Sequence, residues 1–281
     1  MSVVHAIILG IVQGLTEFLP VSSTAHLTLA GLFLGLVDPA NPADWTAFIA
    51  VIQLGTAAAV LLYFAKDLGQ ISASLLRVVT AIVKRKRPDV DAHARMGILI
   101  IIGTIPVVVA GLLLKDLIHS MFTKELSTIG TSLIVLAVVL WWAERVGRRT
   151  RPESETNWKD ALLIGVAQAM ALIPGASRSG TTITAGLFLG LRREAAARFS
   201  FLLSIPAVLA SGGYELYKSR EHLADAGMTA VVVATIVSGI VGYAAIAFLI
   251  RYLRTNSTLV FVIYRIVAGL AIWALILGGV A

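Results

Sequence analysis

Two short polar stretches interrupt an otherwise apolar chain, and both hold residue types suited to phosphate chemistry. The first runs from Gln13 to His26 and contains Glu17 followed by Pro20-Val21-Ser22-Ser23-Thr24-Ala25-His26. Gln13 and Glu17 are four apart, so on a helix they share one face. An ionisable group within an apolar segment must pair, take up a proton or bind a cation. A carboxylate with an amide oxygen beside it suits a hard divalent ion such as Mg²⁺, or Ca²⁺, which prefers oxygen ligands. The plainer alternative is a satisfied buried carboxylate. Ser22, Ser23 and Thr24 follow the helix-breaking Pro20 and can cap the next helix. His26 lies within one turn of Ser23, which leaves open a Ser/His nucleophile-and-base pair as well as a structural histidine.

The second stretch reads Pro174-Gly175-Ala176-Ser177-Arg178-Ser179-Gly180-Thr181-Thr182. Small residues let backbone N–H groups converge at a helix N-terminus, where the dipole favours an anion. Arg178 can hold phosphate through two parallel hydrogen bonds, and Gly175, Ser177, Ser179 and Thr182 complete a candidate phosphate cradle. The competing reading is a broken helix whose Arg178 only pairs with Glu17. Arg265 and Glu215 read as members of structural ion pairs, and the Trp and Tyr residues as interface or packing groups. No Walker A, GxGxxG or HExxH pattern is present, so nucleotide and zinc-protease chemistry have no support.

These stretches must be positioned by a membrane-embedded frame. Of 281 residues, 58% are hydrophobic and 14% charged, with a mean hydropathy of +0.88, more apolar surface than a soluble domain can cover. Six segments reach spanning length: Trp45 to Phe64, Gly97 to Leu114, Ile129 to Ala143, Phe199 to Tyr217, Thr229 to Ile250 and Leu259 to Leu277. Residues 4–36 and 161–191 are also apolar but broken centrally by Pro, Gly and Ser. They read as re-entrant pairs of half-helices, since irregular backbone at membrane depth must be buried in protein or line a wet cavity. The stretch from Val3 to Leu19 lacks a basic n-region and is expected to stay in the mature chain. Without cysteine, neither disulfides nor thiolate metal sites are available.

The heptapeptide Ala30 to Leu36 recurs unchanged as Ala185 to Leu191, and the same offset of 155 aligns Gly10 with Gly165, Gln13 with Gln168 and Ser22 with Ser177. This predicts a duplicated unit. Each copy, residues 1–150 and 155–281, holds one re-entrant pair and three spans. An odd number of crossings inverts the second copy, an arrangement known from transporters. The expected fold is therefore an all-α polytopic protein: one membrane domain of two inverted-topology repeats, six transmembrane helices and two re-entrant pairs. The formal charge of +7 is a topology signal rather than a nucleic-acid footprint. The loop 66–95 carries seven Lys/Arg, and Arg145, Arg148, Arg149 and Arg151, Arg192, Arg193 and Arg198, and Arg251 and Arg254 fall on the same side. Loops 37–44, 115–128 and 218–228 hold only Lys115, Lys124, Lys218 and Arg220. The rich side is then cytoplasmic and both termini face outward.

With these motifs in place, the chain resembles the undecaprenyl-diphosphate phosphatases, also called bacitracin-resistance proteins, over essentially its whole length. The resemblance rests on Glu/Gln-x-x-x-Glu running into Pro-x-Ser-Ser-Thr-x-His, here Gln13 to His26, and on Pro-Gly-x-Ser-Arg-Ser-Gly, here Pro174 to Gly180. It implies hydrolysis of undecaprenyl diphosphate in the bacterial plasma membrane, with a divalent metal and a site open to the outer face. Recycling of this carrier would serve peptidoglycan synthesis and bacitracin resistance. By position Glu17 is the essential carboxylate, with Gln13 beside it at the metal; Ser177, Arg178 and Thr182 bind diphosphate, and Ser23 and His26 complete the site. Gln13 stands where many members have Glu, so Glu17 carries the charged role alone. Two nucleophiles stay open: Ser23 activated by His26, and a metal-polarised water. The rival from another class is a lipid flippase or transporter on the same scaffold, alone or in addition to hydrolysis. Partners are the lipid substrate and membrane lipids, not nucleic acid, with a homo-oligomer left open.

Overall fold

The computed structural model describes residues 1–37, 42–114, 125–218 and 228–279, without the side chains of Pro42, Ala43, Asp44, Thr46 and Glu215. Eleven α-helices make up the described fold: α1 Val3–Phe18, α2 Ser23–Phe33, α3 Pro42–Tyr63, α4 Ala65–Val83, α5 Ala92–Leu113, α6 Leu126–Val146, α7 Trp158–Ala169, α8 Arg178–Phe188, α9 Arg193–Lys218, α10 Met228–Tyr252 and α11 Leu259–Leu277. Among the described residues five of them, α5, α6, α9, α10 and α11, are long and apolar enough to cross a membrane. A sixth crossing is available if α3 and α4, bent by 74° at Phe64, are taken as one.

The interrupted regions are helical hairpins. In the first, Leu19 is extended ahead of Pro20, which stops α1, and α2 restarts after Ser22. The second repeats this, with α7 and a short helical turn Met170–Leu172 leading to Pro174 and α8. Both return helices have 11 residues, about 16 Å at 1.5 Å per residue, roughly half of a hydrocarbon core. They close alike. Gly35 and Gly190 take φ of +62° and +81°, and Leu36 N–H and Leu191 N–H donate back to Gly31 O and Gly186 O. That is the wrap which satisfies a helix's last carbonyls and which favours glycine.

Hydrogen bonds gather the basic segments at one end of the bundle. Glu144 at the end of α6 accepts from Arg149, from Arg193 at the start of α9, and from Thr258 ahead of α11. Arg198 reaches both Asp67 in α4 and Glu153, and Arg95 in α5 donates to Thr156 O. Burial moves the Glu153 carboxyl above the usual carboxylate range, against the opposing pull of Arg198. The second hairpin has its base at this end, where Arg151 holds Asp160 of α7 at 2.6 Å and Leu189 O at 2.8 Å. The first hairpin starts at the opposite end. α1 runs parallel to α10, with Gly10 against Ala234 and Gly14 against Ser238 and Val241, and α10 finishes at Arg251 beside the basic end. In the same way α7 lies along α5. The two hairpins thus point at each other, and their partner helices exchange.

Residues 66–95, read from sequence as a charged loop, instead contain α4. Its polar residues and Arg77 lie on one face, while Leu76, Val79, Ile82 and Val83 are exposed on the other. Such a helix suits the membrane interface, and its mixed charge concealed it from a search for uniformly apolar runs. The sparsely charged loops at the other end, with Lys115, Lys124 and Arg220, fall largely outside the described residues, as does the side chain of Glu215.

Helix contact is closest where glycine removes the side chain: a Cβ on Gly165 of α7 would stand 2.2 Å from Gly103 O of α5. Gly165→Ala should therefore destabilise the protein by about 1–3 kcal/mol through overpacking, whereas Gly69→Ala, with open space in α4, should stabilise it by about 0.5–1 kcal/mol. Thermal melts in detergent would read both, and equal effects would refute the close α5–α7 contact.

Candidate active site

The tips of the two hairpins meet inside the bundle. Ser179 Oγ donates to Leu19 O at 3.1 Å across the junction. Arg265 of α11 is fully buried and donates to Pro20 O of one tip and to Gly175 O and Ala176 O of the other, with Leu133 O as a further acceptor. It was expected in an ion pair. It serves four carbonyls instead, because tips made of turning backbone expose acceptors that only a long, multiply donating side chain can reach together. Gly180 makes room for it: a Cβ there would lie 2.4 Å from the guanidinium.

Ser22 and Ser177 occupy equivalent places and the same unusual backbone state, φ +75° and +66°. Each caps its half-helix, accepting from Ala25 N–H and Gly180 N–H. Intrahelical bonding starts only at His26 N–H and Thr181 N–H, so the amides of Ser23, Thr24, Arg178 and Ser179 precede it. A helix N-terminus in this state favours an anion, and here two of them converge.

Between them lies Glu17. It is buried and accepts four hydrogen bonds: Oε1 from Arg178 Nη2 at 2.6 Å and Gln53 Nε2 at 3.4 Å, and Oε2 from Ser23 Oγ at 2.7 Å and Gln13 Nε2 at 3.2 Å. Gln13 also reaches Thr56 Oγ1 at 3.4 Å. The Glu17–Arg178 pair links residues 161 apart in sequence. Glu17, Ser22, Ser23, Gln53, Ser177 and Arg178 form the polar end of a cavity of about 590 Å³. Its remaining wall is largely apolar, from Val107, Val108 and Leu112 of α5 and Ala207 and Val208 of α9. Val108 and Leu112 of this wall are exposed.

Not every residue expected at the site faces this cavity. Gly175, Ser177 and Arg178 border it. Ser179 is buried and spent on Leu19 O, and Thr182 is buried with its hydroxyl bonded to Arg178 O at 2.7 Å and Ser200 Oγ at 2.6 Å. On an α-helix, position 182 falls one turn after Arg178 and faces α9 rather than the tip. His26 does not bond Ser23: its Nδ1 meets Ser22 O at 2.7 Å and its Nε2 meets Tyr264 Oη at 2.5 Å. The base in contact with Ser23 is Glu17. Gln13 turns its amide donor, not its oxygen, toward Glu17. Gln53, which sequence reasoning missed, comes from the middle of α3; a lone glutamine within an apolar span was the available signal.

Among the described residues no three His, Asp or Glu cluster as a metal cage. One carboxylate with neighbouring amides and hydroxyls nevertheless fits a cation such as magnesium that keeps waters and shares its ligands with phosphate oxygens.

The Glu17–Arg178 pair is open to a stability measurement. Arg178→Ala leaves a buried carboxylate without its cation and should cost about 3–5 kcal/mol, while Glu17→Gln combined with Arg178→Ala should recover most of that. Additive losses in melting experiments would show that the two groups do not interact.

Comparison with known proteins identifies the family. The family model of the bacitracin resistance protein BacA matches residues 6–271. The chain is 51% identical to the undecaprenyl-diphosphatase of Syntrophobacter fumaroxidans, with 100% of both chains covered. It is 52% identical to that of Chlorobium chlorochromatii, covering 99% of each, and 49% identical to that of Chloroherpeton thalassium, covering 98% of this chain and 97% of the relative. A multi-pass helical chain matched along nearly its whole length in this way belongs to the bacitracin resistance protein BacA family.

Proposed function

We infer that this protein is an undecaprenyl-diphosphate phosphatase, releasing inorganic phosphate and undecaprenyl phosphate. The observation that carries the reading is the Glu17 carboxylate bonded at once to the Arg178 guanidinium and the Ser23 hydroxyl at the polar end of a cavity with an apolar wall. The relatives are named as diphosphatases, so the transport alternative is not favoured.

Substrate chemistry matches the two ends of the cavity. The isoprenoid chain can lie along α5 and α9, which leaves the diphosphate to the facing half-helix N-termini. Its oxygens compete with Glu17 for the planar fork of Arg178. Glu17, released from that pair, keeps its hydrogen bond to Ser23 and is placed to accept the serine proton. Ser23 Oγ then bonds to the terminal phosphorus while the bond from that phosphorus to the bridging oxygen breaks, and the lipid monophosphate leaves. Glu17 passes the serine proton to the departing lipid phosphate, then takes a proton from the water that hydrolyses the phosphoserine and returns it to Ser23 Oγ as inorganic phosphate departs. Arg178 and the tip amides stabilise charge on the transferring group. A divalent cation, preferably magnesium, held through Glu17 with Gln13 or Gln53 nearby, would offset further charge on the diphosphate oxygens. His26, tied to Ser22 O and Tyr264, steadies the first tip.

The membrane placement follows the same way. The matched tips, the heptapeptide repeat and the exchange of helix partners support two inverted repeats, residues 1–150 and 155–281. The basic end faces the cytoplasm by the positive-inside rule, which puts both termini outside and the substrate site toward the outer face of the bacterial plasma membrane.

Purified protein in detergent should release phosphate from undecaprenyl diphosphate only with a divalent cation, and EDTA should abolish release. Glu17→Gln should lower kcat by about 10²–10⁴-fold, the range for loss of a positioned base, and phosphoserine at Ser23 should be trappable by acid quench. Full activity in Ser23→Ala would exclude the covalent route and leave water as nucleophile.

A further inference from the structure

Gln168 of α7 is the counterpart of Gln13 in the 155-residue register, yet its surroundings differ. Gln13 has Glu17 one turn on and donates to it; four residues after Gln168 stands Leu172. Gln168 is 1% exposed, it borders the cavity, and neither its amide nitrogen nor its amide oxygen has a hydrogen-bond partner among the described residues. A buried primary amide with both ends unsatisfied carries a desolvation cost that a folded protein ordinarily avoids. The cost is removed if a ligand supplies the missing partners.

Its position indicates which part of the ligand that is. Gln168 lies one turn beyond Gly165, where α7 touches α5 at Gly103, and one turn beyond Gly103 on α5 is Val107, the start of the apolar wall. The amide therefore stands at the seam between the polar tips and the surface that suits a hydrocarbon chain. A lipid diphosphate spanning that seam places its chain-bearing phosphate there and its terminal phosphate further in, toward Ser23 and Arg178.

We propose that Gln168 is a substrate-binding residue that donates its amide N–H to the lipid-bearing phosphate, so that it recognises both the diphosphate substrate and the monophosphate product. This rests on the phosphatase reading above and adds to it a selectivity for phosphate esters of lipids over free phosphate. The amide oxygen can accept from a water carried with the headgroup.

The test is Gln168→Met, closest in length and shape, with Gln168→Leu as a second variant. KM for undecaprenyl diphosphate and the inhibition constant of undecaprenyl monophosphate should rise together, roughly tenfold or more, as expected for one hydrogen bond to a charged group. Inhibition by inorganic phosphate should stay unchanged, and kcat should fall little. The melting temperature without ligand should hold or rise, because an unpaired buried amide has been removed, whereas the shift produced by the monophosphate lipid should shrink. Unchanged KM and lipid-monophosphate inhibition would overturn the assignment. So would weaker inhibition by inorganic phosphate alone, or a lowered melting temperature with uniform loss of activity, which marks a structural residue. If the unsubstituted protein released no phosphate, the phosphatase reading itself would fall, and the ligand-induced melting shift, which needs no turnover, would still score Gln168.

Discussion

A backbone that turns round at half the depth of a membrane carries polar groups that lipid cannot satisfy, and the way this chain satisfies them shapes everything else. The guanidinium of Arg265 collects carbonyls from Pro20, Gly175, Ala176 and Leu133, and Ser179 adds a bond from one tip to the other. A single buried cation thus fastens both hairpins to α11 and α6. With no carboxylate partner among the described residues, its charge is spread over four carbonyl dipoles and remains felt at the tips. That leaves a site biased toward anions before Arg178 is counted.

The fastening explains the geometry of the functional groups. Glu17 lies in the last turn of α1 and Arg178 begins α8, and the meeting of the two tips brings them to one level. Opposed insertion is what brings a carboxylate from a helix C-terminus against a guanidinium at a helix N-terminus. The pair sits where the two half-helix dipoles favour negative charge. In the proposed reaction, exchange of the Arg178 partner from Glu17 to phosphate would convert a structural ion pair into a bound anion and a free base, so stability and chemistry would use the same contact.

The two hairpins are built alike, and they differ at the residues that carry charge. Where the first hairpin has Glu17 the second has Leu172, and where the second has Arg178 the first has Ser23. Positive-φ serines cap both half-helices. With leucine rather than a carboxylate at 172, Gln168 faces the cavity without a partner among the described residues.

Much was legible in the sequence because it is local. Period-3.6 spacing put Gln13 and Glu17 on one face, Pro20 and Pro174 marked the breaks, and the repeated heptapeptide marked two equivalent segments. The spans were readable because hydrocarbon thickness sets a minimum apolar length, whereas α4 was not, since an interfacial helix needs only one apolar face. Tertiary structure alone decided which polar groups meet. Ser23 could have bonded His26 at helical spacing, but the positive φ at Ser22 directs His26 to Ser22 O and Tyr264 and leaves Ser23 to Glu17. Thr182 has the composition of a phosphate ligand and the position of a packing residue against Ser200. Arg265, Gln53 and the α5–α9 wall come from distant segments, and no spacing rule places them at the tips; only the packing of helices through close glycine contacts does.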